Sequence, residues 1–334
     1  MVSISTVKAA NAQLPTILPN NLVAVFIGAT SGIGLSALQQ FVIATDSKQP
    51  RVYIVGRSAS AAAPVIADLR QSNSSAEISF IEQDISLVGN VDKVVDEVKR
   101  HEEKLDFLFV SPGFIPFDGR RETSEGLEPS MTTRYYSRAR AVQLLIPLLN
   151  QSANPHVTTI LAGGQEAPLL EDDLDLAKPG NFSIVRSSVH SATMLTLFLE
   201  RLASENPKIS FVHAFPGLTS TPLLTRGSSG IVSVLLRWIF VPIVTSLFAY
   251  PVKDVGAKTL FYATNARFSV AETAALNTPL PEGLPKADQT AGGIFLVGEK
   301  GDPVDNEKVL VGLRKQLAEK VWVHTTQIFD KVTK

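Results

Sequence analysis

Three glycines follow a short apolar run in the spacing Gly28-x-x-x-Gly32-x-Gly34. Residues 22–27 are too few for a core helix and are typical of a parallel strand buried on both faces. Gly28 suits a tight turn, Gly32 lets the backbone approach a phosphate, and Gly34 lets a helix over residues 33–44 pack close to the strand, with its free N–H groups directed at that phosphate. The pattern predicts a nucleotide-binding loop, and the alternative is a purely structural turn. The predicted loop residues are Gly28, Thr30, Ser31, Gly32, Ile33 and Gly34.

A basic side chain stands where a second strand ends. Residues 51–55 form another apolar run, which is followed by Gly56, Arg57 and Ser58. Sites that bind NAD usually carry an acidic side chain near this strand end, where it accepts from the ribose hydroxyls. The guanidinium of Arg57 instead suits the 2′-phosphate of NADP, and the alternative is a solvated arginine.

Small and polar residues also follow the third and fourth predicted strands, residues 77–82 and 105–110. Asp84 could accept from an adenine amino group or cap a helix over residues 91–98, with Ser86 available as the cap. Ser111, Pro112 and Gly113 come directly after the fourth strand. Because open α/β sheets bind ligands at the carboxyl ends of their strands, these segments predict one common site. Its further residues are Asp84, Ile85, Ser111, Pro112 and Gly113.

Composition limits the class of protein. Of 334 residues, 45% are hydrophobic and 19% are charged, which describes a globular chain with a large core. A net charge of −1 offers no electrostatic footprint for nucleic acid, and the absence of cysteine excludes disulfides, thiolate zinc sites and cysteine nucleophiles. No metal site is predicted. Residues 1–21 carry a single charge, Lys8, and no compact apolar core, so we expect an N-terminal extension rather than a signal peptide, and a cytoplasmic protein.

Strands and helices alternate along the rest of the chain. Two long helices are predicted over residues 127–150 and 184–204, and two further strands over residues 156–161 and 209–214. The sixth strand is followed by Pro216, Gly217 and Thr219, again small residues at a carboxyl end. This alternation predicts an α/β fold, a Rossmann-like doubly wound parallel sheet with helices on both faces.

In this order the motifs resemble those of the short-chain dehydrogenase/reductase superfamily, over residues 22–297. The resemblance rests on the glycine loop, Asp84, residues 111–113 in place of an Asn-Ala-Gly turn, residues 216–219, and a last strand over residues 292–296. Residues 122–127 and 135–138 are similar to those of reductases from fungal secondary-metabolite pathways. The resemblance implies an NADP(H)-binding oxidoreductase for a carbonyl or alcohol of a small lipophilic molecule. It also implies a homo-oligomer formed through the two long helices.

The catalytic positions depart from those of the family. The family uses a Ser, a Tyr, a Lys four residues later and an Asn; no Tyr-x-x-x-Lys occurs in this chain. By alignment the Asn position falls on Arg134, and the Ser position falls near Ala162 or Gly163. One alignment of the following helix places the Tyr position at Ile184 and the Lys position at Ser188, and another places the Tyr position at Phe182. The usual proton relay is therefore missing, although the cofactor loop is complete.

Four residues are candidates to replace that relay. Arg134 could hold an oxyanion or a carboxylate, but an arginine is not an acid–base group at ordinary pH. Tyr136, or its neighbour Tyr135, offers a phenol; His190 has a suitable pKa in its ordinary range; and Glu166 follows the fifth strand. The alternatives are structural: a surface ion pair, packing tyrosines, an interior histidine and a solvated loop charge.

The most apolar stretch, residues 230–250, lies in a segment that the resemblance identifies as a lid over the substrate, residues 219–250. An apolar lid implies a lipophilic substrate such as a polyketide or terpenoid intermediate, with peripheral membrane contact as the alternative. Arg237 and Pro242 interrupt the stretch, so no transmembrane helix is predicted. In the tail, residues 301–334, a helix over residues 306–329 is predicted to pack on the domain.

Two other functions remain compatible with these residues. A cyclase, isomerase or dehydratase on the same scaffold would turn over substrate with no net change in NADPH. A catalytically silent NADP-binding partner would bind the cofactor without any turnover. Fold alone does not choose among these and the oxidoreductase.

Overall fold

A seven-stranded parallel sheet forms the centre of the protein. The computed structural model describes residues 2–220, 249–270 and 277–333. The strands are β1 (Val23–Ile27), β2 (Arg51–Gly56), β3 (Glu77–Glu82), β4 (Phe107–Val110), β5 (His156–Ile160), β6 (Ser210–Ala214) and β7 (Phe295–Val297). They pair in the order β3-β2-β1-β4-β5-β6-β7. The chain order reverses between β1 and β4, and that is where a doubly wound sheet opens a crevice for ligands.

Helices cover both faces of this sheet. The described helices are α1 (Ile4–Asn11), α2 (Leu14–Ile17), α3 (Gly32–Ala44), α4 (Ala59–Ser72), α5 (Gly89–His101), α6 (Pro129–Met131), α7 (Ser137–Leu149), α8 (Ile184–Glu205), α9 (Val252–Thr264) and α10 (Glu307–Val332). None of these helices is long and apolar enough to cross a membrane. The predicted fold class is confirmed.

The two apolar cores follow from the alternation of side chains along β1. Val25 and its neighbours on one face pack with apolar residues of α5, α7, α8 and α10. Phe26 and Ala24, on the other face, pack with apolar residues of α3, α4 and α9. Successive residues of a strand point to opposite faces, so one short apolar run contributes to both layers.

The first long helix is not a regular helix. The prediction over residues 127–150 is correct in extent, but α6 and α7 are separated by a π-helical turn, Thr132–Tyr136. The N–H of Ser137 donates to the carbonyl of Thr132, five residues earlier. Such turns widen a helix locally and occur frequently at functional sites. This turn carries Arg134.

The N-terminal residues are packed on the domain. In α1, Val7 is buried against α9. Asn11 donates from Nδ2 to the carbonyl of Ala257 at 2.9 Å, and Lys8 pairs with Asp254 at 2.7 Å. The predicted extension is therefore integral to the structure of this face. Of the predicted lid, residues 221–248 lie outside the described residues.

The C-terminal helix α10 covers the face made by the two long helices. Trp322 stacks on Phe198 of α8 with ring centroids 4.9 Å apart, and Phe329 also contacts Phe198. The hydroxyl of Tyr135 lies 2.6 Å from that of Thr325. Pairing of subunits through these long helices, as the resemblance implies, would therefore require α10 to leave its site.

Phe198 is the main aromatic contact of α10, so removing its ring should destabilise the whole domain and not only the C-terminal helix. We expect Phe198→Ala to lower the free energy of unfolding by about 3–5 kcal/mol, because a fully buried ring with three aromatic neighbours is removed. Val323→Ala, a change on the exposed side of α10, should stay within about 0.5 kcal/mol. Urea unfolding followed by circular dichroism tests this, and equal effects of the two changes would contradict it.

Candidate cofactor and active site

The glycine loop is held by direct contact with the end of β4. Gly28 has φ +85°, and a Cβ placed there would lie 2.6 Å from the nitrogen of Pro112. A Cβ on Gly34 would lie 2.3 Å from Oγ of Ser111 and 2.6 Å from the carbonyl oxygen of Gly28. Neither position has room for a side chain, so α3 begins as close to the strand ends as a backbone allows.

The N-terminus of α3 is left open toward the loop. Ser31 precedes α3 but forms no side-chain cap. In contrast, Ser3, Ser58 and Ser183 each accept from a backbone N–H of the helix that they precede. The first N–H groups of α3 thus lack the usual serine acceptor, and together with the helix dipole they suit an anion.

Arg57 lies at the same edge of the sheet. It is exposed and follows Gly56, the last residue of β2. A Cβ on Gly56 would lie 2.9 Å from Cγ2 of Thr30 in the glycine loop. Arg57 therefore follows directly after the residue that contacts the glycine loop. This position suits a guanidinium that would bind the predicted 2′-phosphate of the cofactor.

Asp84 organises the turn after β3. Its Oδ1 accepts from the N–H of Ser86 at 3.0 Å. The prediction that Ser86 caps the next helix is wrong: α5 begins after Val88, and the carboxylate of Glu125 accepts from the N–H groups of Val88 (2.7 Å) and Gly89 (2.9 Å). A carboxylate 36 residues away along the chain holds this helix end, which the local sequence could not indicate.

Buried arginine and serine side chains of α7 fix two of the strand ends. Ser137 donates to the carbonyl of Ile85 at 2.6 Å. Arg138 donates from Nη1 to the carbonyl of Val110 at 2.8 Å and from Nη2 to the carbonyl of Pro112. Burial, and then repulsion by Arg134, lowers the pKa of Arg138 to about 9. No role for Arg138 was predicted from the sequence. Its spacing of four residues from Arg134 places both on one helix face, and this pattern could have indicated a role.

The segment after β6 completes the edge. Gly217 has φ +68°, and a Cβ there would lie 2.9 Å from the ring of Tyr250 and from Cβ of Glu299. The hydroxyl of Thr219 donates to the carbonyls of Pro216 and Gly217, both at 3.3 Å. Pro216, Gly217 and Thr219 therefore lie in a tight turn directly after β6, at the carboxyl end of that strand.

Arg134 is the catalytic candidate that lies over the cofactor edge. Its Cγ lies 3.5 Å from the place that a Cβ of Gly113 would occupy, and its Nη1 donates to Oγ of Ser188 at 2.7 Å. The side chain is buried, and within residues 2–220, 249–270 and 277–333 its Nε and Nη2 have no hydrogen-bond partner. Burial lowers the pKa of Arg134 to about 10, partly offset by the charge of Glu128. In one of the two alignments Ser188 holds the position of the family's lysine, and in that alignment the Arg134 guanidinium reaches it from the π-helical turn.

A backbone contact explains the missing serine. A Cβ on Gly163 would lie 1.9 Å from the carbonyl oxygen of His213 in β6. No side chain fits at Gly163 without moving the strand. In one alignment the tyrosine position is Ile184, which opens α8 with 38% of its surface exposed, and in the other it is Phe182. Neither of these side chains, nor Gly163, carries a hydroxyl.

Glu166 is committed to a buried network. Nε2 of His213 accepts from the N–H of Ala162 at 3.2 Å, so Nδ1 carries the proton and donates to Oγ1 of Thr196 (2.9 Å), which in turn donates to Oε1 of Glu166 (2.7 Å). Oε2 of Glu166 accepts from Asn306 at 2.8 Å. This carboxylate therefore holds the loop after β5 in place, and we leave it out of the proposed catalytic set.

Tyr136 and His190 are also engaged elsewhere. The hydroxyl of Tyr136 is hydrogen-bonded to Nε2 of His324 in α10 at 2.8 Å, and burial raises its pKa well above the ordinary value. His190 accepts from the N–H of Leu170 (3.1 Å) and donates to the carbonyl of Leu174 (3.2 Å), and burial lowers its pKa. Both side chains stabilise the packing of neighbouring segments, so the structure brings Arg134 alone of the four candidates to Gly113.

Known proteins are similar to this chain in sequence. The model of the short chain dehydrogenase family matches residues 22–165. An NmrA-like family domain-containing oxidoreductase of Aspergillus sp., notO, is 44% identical over 337 residues, 100% of this chain and 97% of that protein. The short-chain dehydrogenase/reductase SAT2 of Stachybotrys chartarum is 29% identical over 361 residues, 100% of this chain and 98% of that protein. The chain belongs to the short-chain dehydrogenase/reductase superfamily.

A solved structure shares the fold at low sequence identity. The Pseudomonas aeruginosa RhlG/NADP active-site complex has a TM-score of 0.56 and 18% identity, and the match covers 80% of this chain and 98% of that one. The likeness extends over most of the sheet and its helices, which agrees with the parallel topology described above.

Two buried histidines predict how stability depends on pH. Burial lowers the pKa of His156 and of His213 to about 3, and for His213 the charge of Arg138 adds to the effect. In the unfolded chain both rings take up a proton below their ordinary pKa of 6.5, whereas the folded protein excludes it. The stabilisation is therefore complete above that value and is lost as the pH falls toward 3.

We expect each of these histidines to lower the free energy of unfolding by about 2 kcal/mol between pH 7 and pH 5. Urea unfolding of the wild type and of His213→Asn at both pH values measures it. The decrease in the free energy of unfolding should be smaller in His213→Asn by about 2 kcal/mol, the contribution of one histidine. An equal drop in both proteins would show that His213 is protonated in the folded state.

Proposed function

We propose that this chain is an NADP(H)-dependent oxidoreductase that acts on a carbonyl or alcohol group of a small lipophilic molecule. The observation that carries the proposal is the open N-terminus of α3 beneath a loop in which Gly28 and Gly34 have no room for side chains. Its relatives notO and SAT2 are named as oxidoreductases or dehydrogenase/reductases, and the RhlG structure is a complex with NADP.

The residues present fit a dinucleotide. The N–H groups of residues 31–34 would receive its pyrophosphate, and Arg57 would pair with a 2′-phosphate. Asp84 and Ile85 would border the adenine, and residues 111–113, with Pro216, Gly217 and Thr219, would border the other half. When bound, the nicotinamide supplies or accepts the hydride. The chain's own residues would align the nicotinamide with the substrate and would prevent unreactive orientations of the two.

The substrate's side of the site has one fixed positive charge. Arg134 is held by Ser188 over Gly113, where it would stabilise negative charge on a substrate oxygen. Gly163 and Ile184, at the aligned serine and tyrosine positions, cannot exchange a proton. Reduction of a carbonyl needs one proton besides the hydride, and we assign that proton to water.

Apolar side chains beside the site support a lipophilic substrate. Ile184 and Val185, at the start of α8, are 38% and 72% exposed. The sequence of residues 230–250 is strongly apolar as well. Exposed aliphatic residues next to a site of this kind favour contact with an apolar ligand.

A non-redox enzyme is the second candidate, and a specific observation favours it. The contact between Gly163 and the carbonyl of His213 leaves no room for the family's serine, and no phenol stands at Ile184. A cyclase or isomerase would need only a shaped, charged pocket. With any substrate that is turned over, a change in NADPH absorbance identifies the oxidoreductase, whereas turnover without it identifies the second candidate.

Titration of the purified protein with NADPH and NADH tests the cofactor assignment. We expect Arg57→Ala to weaken NADPH binding by about ten-fold or more and to leave NADH binding within about two-fold, because the 2′-phosphate loses a charge-assisted hydrogen bond. Arg100→Ala, at an exposed arginine of α5 paired with Glu97, is the matched control and should change neither. Failure of the wild type to bind either nucleotide would overturn the proposed function.

A further inference from the structure

Arg134 presents two unused hydrogen-bond donors. Its Nη1 is occupied by Ser188, whereas Nε and Nη2, on the other edge of the guanidinium, are buried and have no hydrogen-bond partner among the residues that the structure describes. The side chain is only 6% exposed. A buried donor without a partner is costly, and a buried charge is more so, which makes such a pair a candidate for ligand binding.

The same two atoms bind carboxylates elsewhere in this protein. Three other arginines donate from Nε and Nη2 to the two oxygens of one carboxylate, which is the planar, two-bond arrangement that a guanidinium favours. These pairs are Arg51 with Glu102 (2.7 and 2.6 Å), Arg140 with Asp92 (2.8 and 2.7 Å) and Arg314 with Glu200 (2.8 and 2.7 Å). In Arg134 the edge that carries Nε and Nη2 has the same two donors, but no carboxylate of the described part of the chain binds there.

The charges around Arg134 favour an incoming anion. Arg138, one helical turn away, is also buried, and its hydrogen bonds within the described residues are to backbone carbonyls. Glu128 acts on Arg134 electrostatically, but its Oε2 already accepts from Ser130 and Met131, and its Oε1 has no partner among the described residues. Arg134 and Arg138 are thus two buried cations to which no carboxylate of the described part of the chain is hydrogen-bonded, and the nearby charge of Glu128 offsets one of them, so positive charge is in excess beside Gly113.

We propose that Nε and Nη2 of Arg134 bind a carboxylate group carried by the substrate. The inference rests on the proposed function in that the substrate reaches the site over Gly113, and it narrows the substrate class to acids that also contain the reacting carbonyl or alcohol. The fork then fixes the orientation of the substrate, because a carboxylate held by two parallel hydrogen bonds cannot rotate freely. Arg134 would thus combine binding with orientation.

Benzoate and benzamide are suitable probes, because they have the same shape and differ in charge. Each is titrated calorimetrically into the protein saturated with NADP⁺, for the wild type, Arg134→Met and Arg134→Lys. We expect the wild type to prefer benzoate by about ten-fold or more, Arg134→Met to lose the preference, and Arg134→Lys to keep part of it as a point charge. Arg201→Met, at an exposed arginine near the other end of α8 that pairs with Glu205, is the matched control and should keep the full preference.

Three results would overturn the inference. Equal affinity of the wild type for both probes, or no binding of benzoate, would show that the fork does not accept a carboxylate, for example because it turns to Glu128. Weaker NADPH binding in Arg134→Met, with the benzoate preference intact, would assign the fork to a phosphate of the cofactor. Loss of the preference in Arg201→Met would show a general charge effect. The proposed function fails separately, if the wild type does not bind NADPH.

Discussion

The close approach of two strand ends is the constraint on which the site depends. Pro112 and Ser111, after β4, lie so near Gly28 and Gly34 that a Cβ on either glycine would overlap them. This contact places the start of α3 at the switch point of the sheet, where neighbouring chain segments diverge. Arg138 stabilises it from the other side by binding the carbonyls of Val110 and Pro112. The proposed anion site and the proposed substrate site thereby lie on one edge of the sheet.

Backbone packing, and not only the residue type, keeps a hydroxyl group away from the proposed catalytic side of the site. Because β6 lies against Gly163, the loop after β5 cannot carry a hydroxyl there, and the network from His213 through Thr196 to Glu166 holds that loop in place. The π-helical turn brings Arg134 to Ser188, the position of the family's lysine in one of the two alignments. A fixed charge suits alignment and charge stabilisation rather than a proton relay.

Local patterns in the sequence were sufficient for the sheet and insufficient for the polar contacts. The central strands were predictable because buried parallel strands are short continuous apolar runs, as in β1 and β4. The edge strand β3, in which exposed and buried residues are mixed, was also placed at its observed bounds. The cap of α5 by Glu125 and the partners of Glu166 and Tyr136 come from residues distant in sequence, which one chain without long-range information does not reveal.

Hydrogen–deuterium exchange with and without NADP⁺ reports on individual backbone segments of the wild-type protein and so locates the bound dinucleotide. We expect the cofactor to slow exchange in residues 28–36 and 111–113, where the open N-terminus of α3 meets the end of β4. The start of α5, already capped by Glu125, should be unchanged. Unchanged exchange in residues 28–36 at saturating cofactor, or protection confined to other segments, would contradict the claim that this edge binds the dinucleotide.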